Sequence, residues 1–211
     1  MATLTQLYTR LILELNRDDM GASGELEQAK VDAVDRAIEF HADELFWFNR
    51  LSSTKATVAA TDTIALPSGM RLALQLSYDG EPLLKVALNS IEALTEDSGR
   101  PTHWAENDGS IQLWPIPDAV YTLDVYGIAE LGTPSAGDSN SWTTTAYDLI
   151  IETAKKYLCR GPLRDPEGAL MAATGEAEHL NKLRRETRRR SGHGLLTDIA
   201  SGRPFNINRG D

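Results

Sequence analysis

The sequence predicts an α+β fold: a helical bundle made from N- and C-terminal helix pairs, with an inserted antiparallel β-sandwich or barrel-like region and an extended C-terminal arm. Three observations carry this expectation. Apolar residues recur at helical spacing towards both ends of the chain, and they alternate with a period of two through its middle. Asp79-Gly80 and Asn107-Asp108-Gly109 supply, within the alternating stretch, the positive-φ residues that tight hairpin turns need. Helices on either side of a run of strands pack most simply as one bundle with the sheets inserted between them. The expected boundaries are 1–50 for the N-terminal helices, 51–131 for the β-region, 132–143 for a linker, 144–190 for the C-terminal helices and 191–211 for the arm.

Leu4, Leu7, Tyr8, Leu11 and Leu15 form the first helical stripe, which Asn16 and the glycines at 21 and 24 interrupt. A second helix is expected over 25–47. Leu26, Ala29, Ala33, Ala37, Ile38, His41, Ala42 and Leu45 share its apolar face, Ser23 or Gly24 would cap it, and Glu25 and Glu27 suit its first turn. The aromatics Phe46, Trp47 and Phe48 are expected where helices meet sheet. From about Thr54 the period becomes two, giving strands over 57–61, 63–66, 72–78 and 82–86, with a turn at Pro67-Ser68-Gly69 and a short helix over 88–94. Ile111 and Leu113, then Tyr121, Leu123 and Val125, alternate with polar residues. Pro115 and Pro117 cannot donate to a ladder, so one strand must end there before the next begins. Gly132 to Asn140 is rich in Gly, Ser, Pro and Thr and reads as a linker. A helix over 144–160 follows, with Tyr147, Ile150, Ile151, Ala154, Tyr157 and Leu158 inward, stopped by Gly161-Pro162. The last helix, 166–190, has a thinner stripe of Leu170, Ala173, Thr174, Ala177, Leu180 and Leu183.

Composition narrows the function classes. The chain is 41% hydrophobic and 25% charged, as in ordinary globular proteins, and no apolar run approaches a membrane span. Its start lacks the basic lead of a secretory signal, so none is expected. Cys159 is the single cysteine, which excludes an internal disulfide; it reads as a small apolar residue near a helix end. No phosphate-cradling glycine loop, C-x-x-C or H-E-x-x-H occurs. His41, Asp43 and Glu44 spread over too much of a helical turn to converge on a metal. Glu27, Asp32, Asp35, Glu39 and Asp43 lie on a polar helix face rather than in an acid/base pair. No catalytic residue, metal or cofactor is assigned, and an enzyme is not expected.

Charge is uneven. Residues 180–211 hold eight basic residues against three acidic ones, a net of +5, so residues 1–179 carry −15 of the overall −10. Arg184, Arg185, Arg188, Arg189 and Arg190 suit the negative end of a helix dipole, but five exceed what a cap needs. Phosphate neutralisation is an alternative use, opposed by the acidic body and the lack of interleaved stacking aromatics. A protein partner fits better. Beyond the helix, Leu195, Leu196, Ile199, Phe205 and Ile207 alternate with Arg203 and Arg209, the pattern of segments that order on binding. Extended, residues 191–211 reach roughly 60–70 Å at about 3.3 Å per residue.

The central stretch also carries a family resemblance. Pro101 and Trp104, then Gly109, Ile111, Leu113, Pro115, Pro117 and Asp118, then Tyr121, Leu123, Val125 and Tyr126 together resemble the β-region of head-to-tail adaptor proteins of short-tailed and some long-tailed phages. The flanking helix pairs occur in the same order as in that family. The resemblance implies a structural virion protein of the neck, assembled in the host cytoplasm. It further implies twelve copies in a ring of neighbouring adaptor subunits on the portal protein, tail or nozzle proteins attached below, and DNA passing through the lumen without specific binding. In that family the C-terminal arm embraces the portal, which makes Arg184, Arg185, Arg188, Arg189, Arg190, Leu195, Leu196, Ile199, Arg203, Phe205, Ile207 and Arg209 the candidate portal-binding residues. A tail-tube gatekeeper or decoration protein, or a nucleic-acid-binding module using the basic C-terminus, are the alternatives.

Overall fold

A computed structural model of the chain describes residues 2–17, 24–95 and 97–191. Helix α1 (Leu4–Leu15) opens on a reciprocal cap in which Thr3 accepts from the Gln6 amide and Gln6 accepts from the Thr3 amide. Asn16 closes it in the left-handed conformation. The next two amides at its start, those of Leu4 and Thr5, donate to the carbonyls of Asp138 and Ala136 at 3.1 and 3.0 Å. The Gly/Ser-rich linker is therefore part of the helix cap. Helix α2 (Glu25–His41) buries Ala33, Val34, Ala37, Ile38 and His41.

The predicted extension of α2 to residue 47 is corrected by the structure. The helix stops at His41 because Asn49 folds the following turn back: its Oδ1 accepts from the Phe46 amide (2.8 Å) and its Nδ2 donates to the Glu44 carbonyl (2.8 Å). Phe46 is thereby driven inward against Phe48 and Trp142, with ring centroids 5.2 and 6.0 Å away.

The strands are β1 (Arg50–Ala56), β2 (Thr63–Ala65), β3 (Met70–Tyr78), β4 (Glu81–Pro82) and β5 (Leu84–Lys85). The short helix α3 (Leu88–Glu92) follows. Next come β6 (Ser98–Gly99), β7 (His103–Asn107), β8 (Ser110–Trp114), β9 (Ile116–Pro117) and β10 (Thr122–Ala129). They form one sheet in the order β1-β10-β3-β4, a second in the order β2-β8-β7-β5, and a two-stranded pair β6-β9. Among the described residues the sheets do not close into a barrel. Pairing is antiparallel except for β5 with β7 and β6 with β9, which are parallel.

Both hairpin signals correspond to hairpins, β3–β4 at Asp79-Gly80 and β7–β8 at Asp108-Gly109, and all four turn residues have positive φ. The strand expected over 57–61 is absent. Residues 50–56 form the strand instead, because their neighbour β10 pairs with Arg50–Ala56 residue for residue, from Arg50 opposite Ile128 to Ala56 opposite Thr122. Between β10 and β3 the register slips at Gly127, where a Cβ would collide with the Leu72 carbonyl. Only glycine permits so close an approach.

The C-terminal helices are α4 (Ser141–Thr144), capped by Asn140, α5 (Tyr147–Arg160) and α6 (Pro166–Arg190). Asp165 caps α6 by accepting from the Gly168 amide (2.9 Å), and Pro166 occupies the first turn, where no donor is lost. The apolar stripe predicted for α6 is rotated. Ala169, Ala172, Glu176, Leu183 and Thr187 are buried, whereas Leu170 is 71% exposed and Thr174 and Ala177 face outward.

Two hydrophobic clusters result. One joins α1, α2, α4 and α5 with Phe46 and Leu183; the other lies between the sheets around Trp104, Leu76, Ile111, Leu113, Leu123 and Val125. At their junction Arg71 of β3 bonds Asp43 Oδ1 (2.6 Å), Glu39 Oε1 (2.5 Å) and Glu130 Oε1 (3.4 Å). Hydrogen bonds to Glu39 and Asp43 raise its guanidinium above the ordinary arginine range. No helix among the described residues is long and apolar enough to cross a membrane.

Candidate functional site at the end of the last helix

Of the five arginines of α6, Arg184 and Arg190 reach the turn between α2 and β1, and the structure gives the others different roles. Arg184 forks onto Glu44, with Nε and Nη2 at 2.5 and 2.8 Å from the two carboxylate oxygens. Arg189 and Arg190 share Glu186 at 2.6 and 2.8 Å, holding its carboxyl below the usual range. Arg190 also lies over the Trp47 ring, 4.6 Å from its centroid, a cation–π contact. Among the described residues, Arg185 bonds the Asn181 carbonyl of its own helix (3.2 Å). Arg188 is exposed and has no partner among the described residues. Part of the cluster thus fastens the helix, while Arg185, Arg188 and Arg189 leave positive charge facing outward.

The surface that receives α6 comes from the turn after α2, which sequence periodicity did not mark as functional. The Trp47 amide donates to Thr187 Oγ1 (3.3 Å), and Thr187 donates onward to the Leu183 carbonyl (2.9 Å). Arg50, the first residue of β1, donates through Nη2 to the Ser191 hydroxyl, and Ser191 donates to the Thr187 carbonyl (2.7 Å). The chain therefore leaves α6 beside the root of β1. The contacts of Glu44, Trp47 and Arg50 with α6 span about 140 residues of sequence, so local spacing gives no signal for them. Leu195, Leu196, Ile199, Arg203, Phe205, Ile207 and Arg209 lie outside the described residues.

A buried polar group lies nearer the N-terminal end of α6. Lys156 of α5 pairs with Glu176 of α6, and its ammonium sits 5.0 Å from the centroid of the Phe40 ring. His41 Nε2 is 3.6 Å from Glu176 Oε1 and 3.0 Å from Thr153 Oγ1. Because Thr153 donates to the Leu149 carbonyl (2.9 Å), its oxygen is left to accept from His41, which fixes the Nε2–H tautomer. His41, Lys156 and Glu176 are 2%, 8% and 8% exposed, so the cluster offers no reacting substrate an approach. It fastens three helices together. Asp43 and Glu44, the other members of the predicted non-site, are committed to Arg71 and Arg184. Burial raises the Cys159 thiol above its ordinary pKa, as expected for an unreactive core position.

The outer face of α5 and α6 carries an open groove of about 420 Å³ lined by Glu152, Lys155, Met171, Thr174, Gly175 and Glu178. Met171 in its wall and the preceding Leu170 are exposed, 70% and 71% accessible. It is shallow and mixed in polarity, a shape suited to a protein surface rather than to an enclosed small molecule.

A protein-family model described as SU10 adaptor protein matches residues 2–198. No curated protein matches the sequence.

Proposed function

The chain belongs to the SU10 adaptor protein family, a phage adaptor family, and on that premise we propose that it is a head-to-tail adaptor of the virion neck, assembling as a ring on the portal and carrying tail or nozzle proteins below. The observation that carries this reading is the family match over nearly the whole chain. The structure supports it through its chemistry: the buried titratable group is a fastening, and the exposed features suit protein contact. In this reading the outward charge of Arg185, Arg188 and Arg189, followed by the arm with Leu195, Leu196, Ile199, Arg203, Phe205, Ile207 and Arg209, engages the portal. The α5–α6 face around Leu170 and Met171 meets a neighbouring subunit, with twelve copies closing the ring. The net charge of −15 over residues 1–179 gives a lumen that repels phosphate and leaves DNA mobile. The role is structural rather than catalytic.

Truncation after Ser191, which keeps the contact of that residue with Arg50, tests the arm. It should abolish co-sedimentation with purified portal while leaving a folded protein with a cooperative melting transition; retained portal binding would remove the arm from the mechanism. Replacing Arg185, Arg188 and Arg189 with Gln should weaken portal association without affecting duplex DNA. Loss of a steeply salt-dependent DNA affinity would instead favour a nucleic-acid module.

A further inference from the structure

We propose that the outer edge of β1 is a docking site for the chain's own C-terminal segment, which adds the residues around Phe205–Asn208 as a further strand beside Arg50–Ala56. This goes beyond the portal reading and concerns the subunit before it meets a partner.

β1 ends its sheet, with β10 as its only neighbour, and its outward amides and carbonyls have no backbone partner among the described residues. An open edge of seven residues is a template for pairing with another strand. The other outermost strands are short: β4 and β5 have two residues each and β2 has three, and Pro82 blunts β4. β1 carries no proline, and past Arg50 its only charge is Lys55.

The two faces of β1 specify what would fit. Ser52, Thr54 and Ala56 form an exposed, uncharged row. Leu51, Ser53 and Lys55 lie on the inner side, opposite Gly127, Val125 and Leu123, where the core between the sheets reaches its rim. Phe205-Asn206-Ile207-Asn208 has the matching alternation, two apolar side chains for one face and two uncharged polar ones for the other. Pro204 stands just ahead of it, a position where a missing donor costs a ladder little.

The exit point selects the occupant. Ser191 is bonded to Arg50, so residues 192–211 start at the root of the open edge. β1 spans about 23 Å at ~3.3 Å per residue. Residues 192–204 can bridge up to about 43 Å, enough to pass its far end and return antiparallel, the slightly more stable direction. Tethering at this distance gives the segment an effective concentration in the millimolar range, ahead of a second copy in dilute solution.

Amide hydrogen exchange tests the proposal by comparing the full chain, a chain ending after Ser191, and the full-length Phe205→Asn/Ile207→Asn variant. Peptides covering Arg50–Ala56 should exchange roughly tenfold more slowly in the full chain, about one net hydrogen bond's worth. The β7–β8 hairpin should be unchanged. Both altered chains should lose the protection, and the full-length variant keeps the test valid if truncation harms folding. Equal exchange over Arg50–Ala56 in all three overturns the proposal. Protection that rises with protein concentration assigns the edge to a second copy and overturns the own-chain assignment. Portal binding by the truncated chain is read separately, so either idea can fail without the other.

Discussion

His41 is held neutral by its surroundings. Burial lowers its pKa from the ordinary 6.5 and outweighs the attraction of Glu176 and Glu44, while Lys156 and Arg184 push in the same direction as burial. A histidine whose folded pKa lies below its unfolded value binds fewer protons in the folded state between the two values. Its contribution to stability is therefore complete above about pH 6.5 and is lost progressively as pH falls from there towards the folded pKa. Urea unfolding at pH 7.5, 6.5 and 5.5 should show this decline, and His41→Gln should flatten it; an unchanged slope in the variant would assign the decline to other groups. The neighbouring Lys156–Glu176 pair makes a sharper case. Lys156→Met leaves Glu176 buried beside a neutral imidazole and should cost about 3 kcal/mol, whereas replacing both partners with apolar residues of similar size should recover most of that loss. A double variant no more stable than the single one would show that packing, not charge, fixes the site. None of this was legible in the sequence beyond the placement of His41 at the edge of an apolar face. Partners 112 and 135 residues away are brought together by helix packing, which no local pattern encodes.

At the scale of elements, local chemistry was read correctly where it is self-contained and misread where tertiary contacts decide. Asp79-Gly80 and Asn107-Asp108-Gly109 gave their hairpins because a positive-φ turn is dictated by the residues in it. The end of α2 was missed because Leu45 and Phe46 continue the helical spacing; only the back-bonding of Asn49 marks the stop, and that depends on the turn it creates. On α6 the spacing of Leu170 and Thr174 suggested a face that is in fact outward, since the helix packs through small residues, Ala169 and Ala172, close against its neighbour. The rotation is testable. Ala172→Leu, at a fully covered position, should destabilise by about 1–3 kcal/mol through overpacking. Leu170→Gln should change stability by no more than ~0.5 kcal/mol. Equivalent losses in chemical denaturation would place the stripe where the sequence pattern put it.

At the scale of the whole molecule, the helical and sheet clusters each hold together through their own apolar contacts, and polar links predominate between them. The Arg71 links are to carboxylates that are about half exposed or more, so they steer orientation more than they stabilise. In the proposed role, portal contacts would offset the entropy of fixing the arm, and the isolated protein is accordingly expected to sediment mainly as a monomer. A stable twelve-membered ring without portal would overturn that expectation. The overall α+β plan and the family were both legible, because the order of elements survives even where their edges are misjudged. The exposed Leu170 and Met171, the rotated face of α6 and the β1 edge were not, since exposure is a property of packing. The residue-for-residue pairing of Arg50 with Ile128 has one more consequence. The chain enters and leaves the sheets through adjacent strands, whose Cα atoms are about 5 Å apart, close enough for a two-residue turn to bridge. Residues 51–127 are thus a cassette: replaced by Asn-Gly, they should leave a helical protein that keeps its near-ultraviolet signal from Trp142, and a foreign β-domain with neighbouring ends should be graftable onto the same stem.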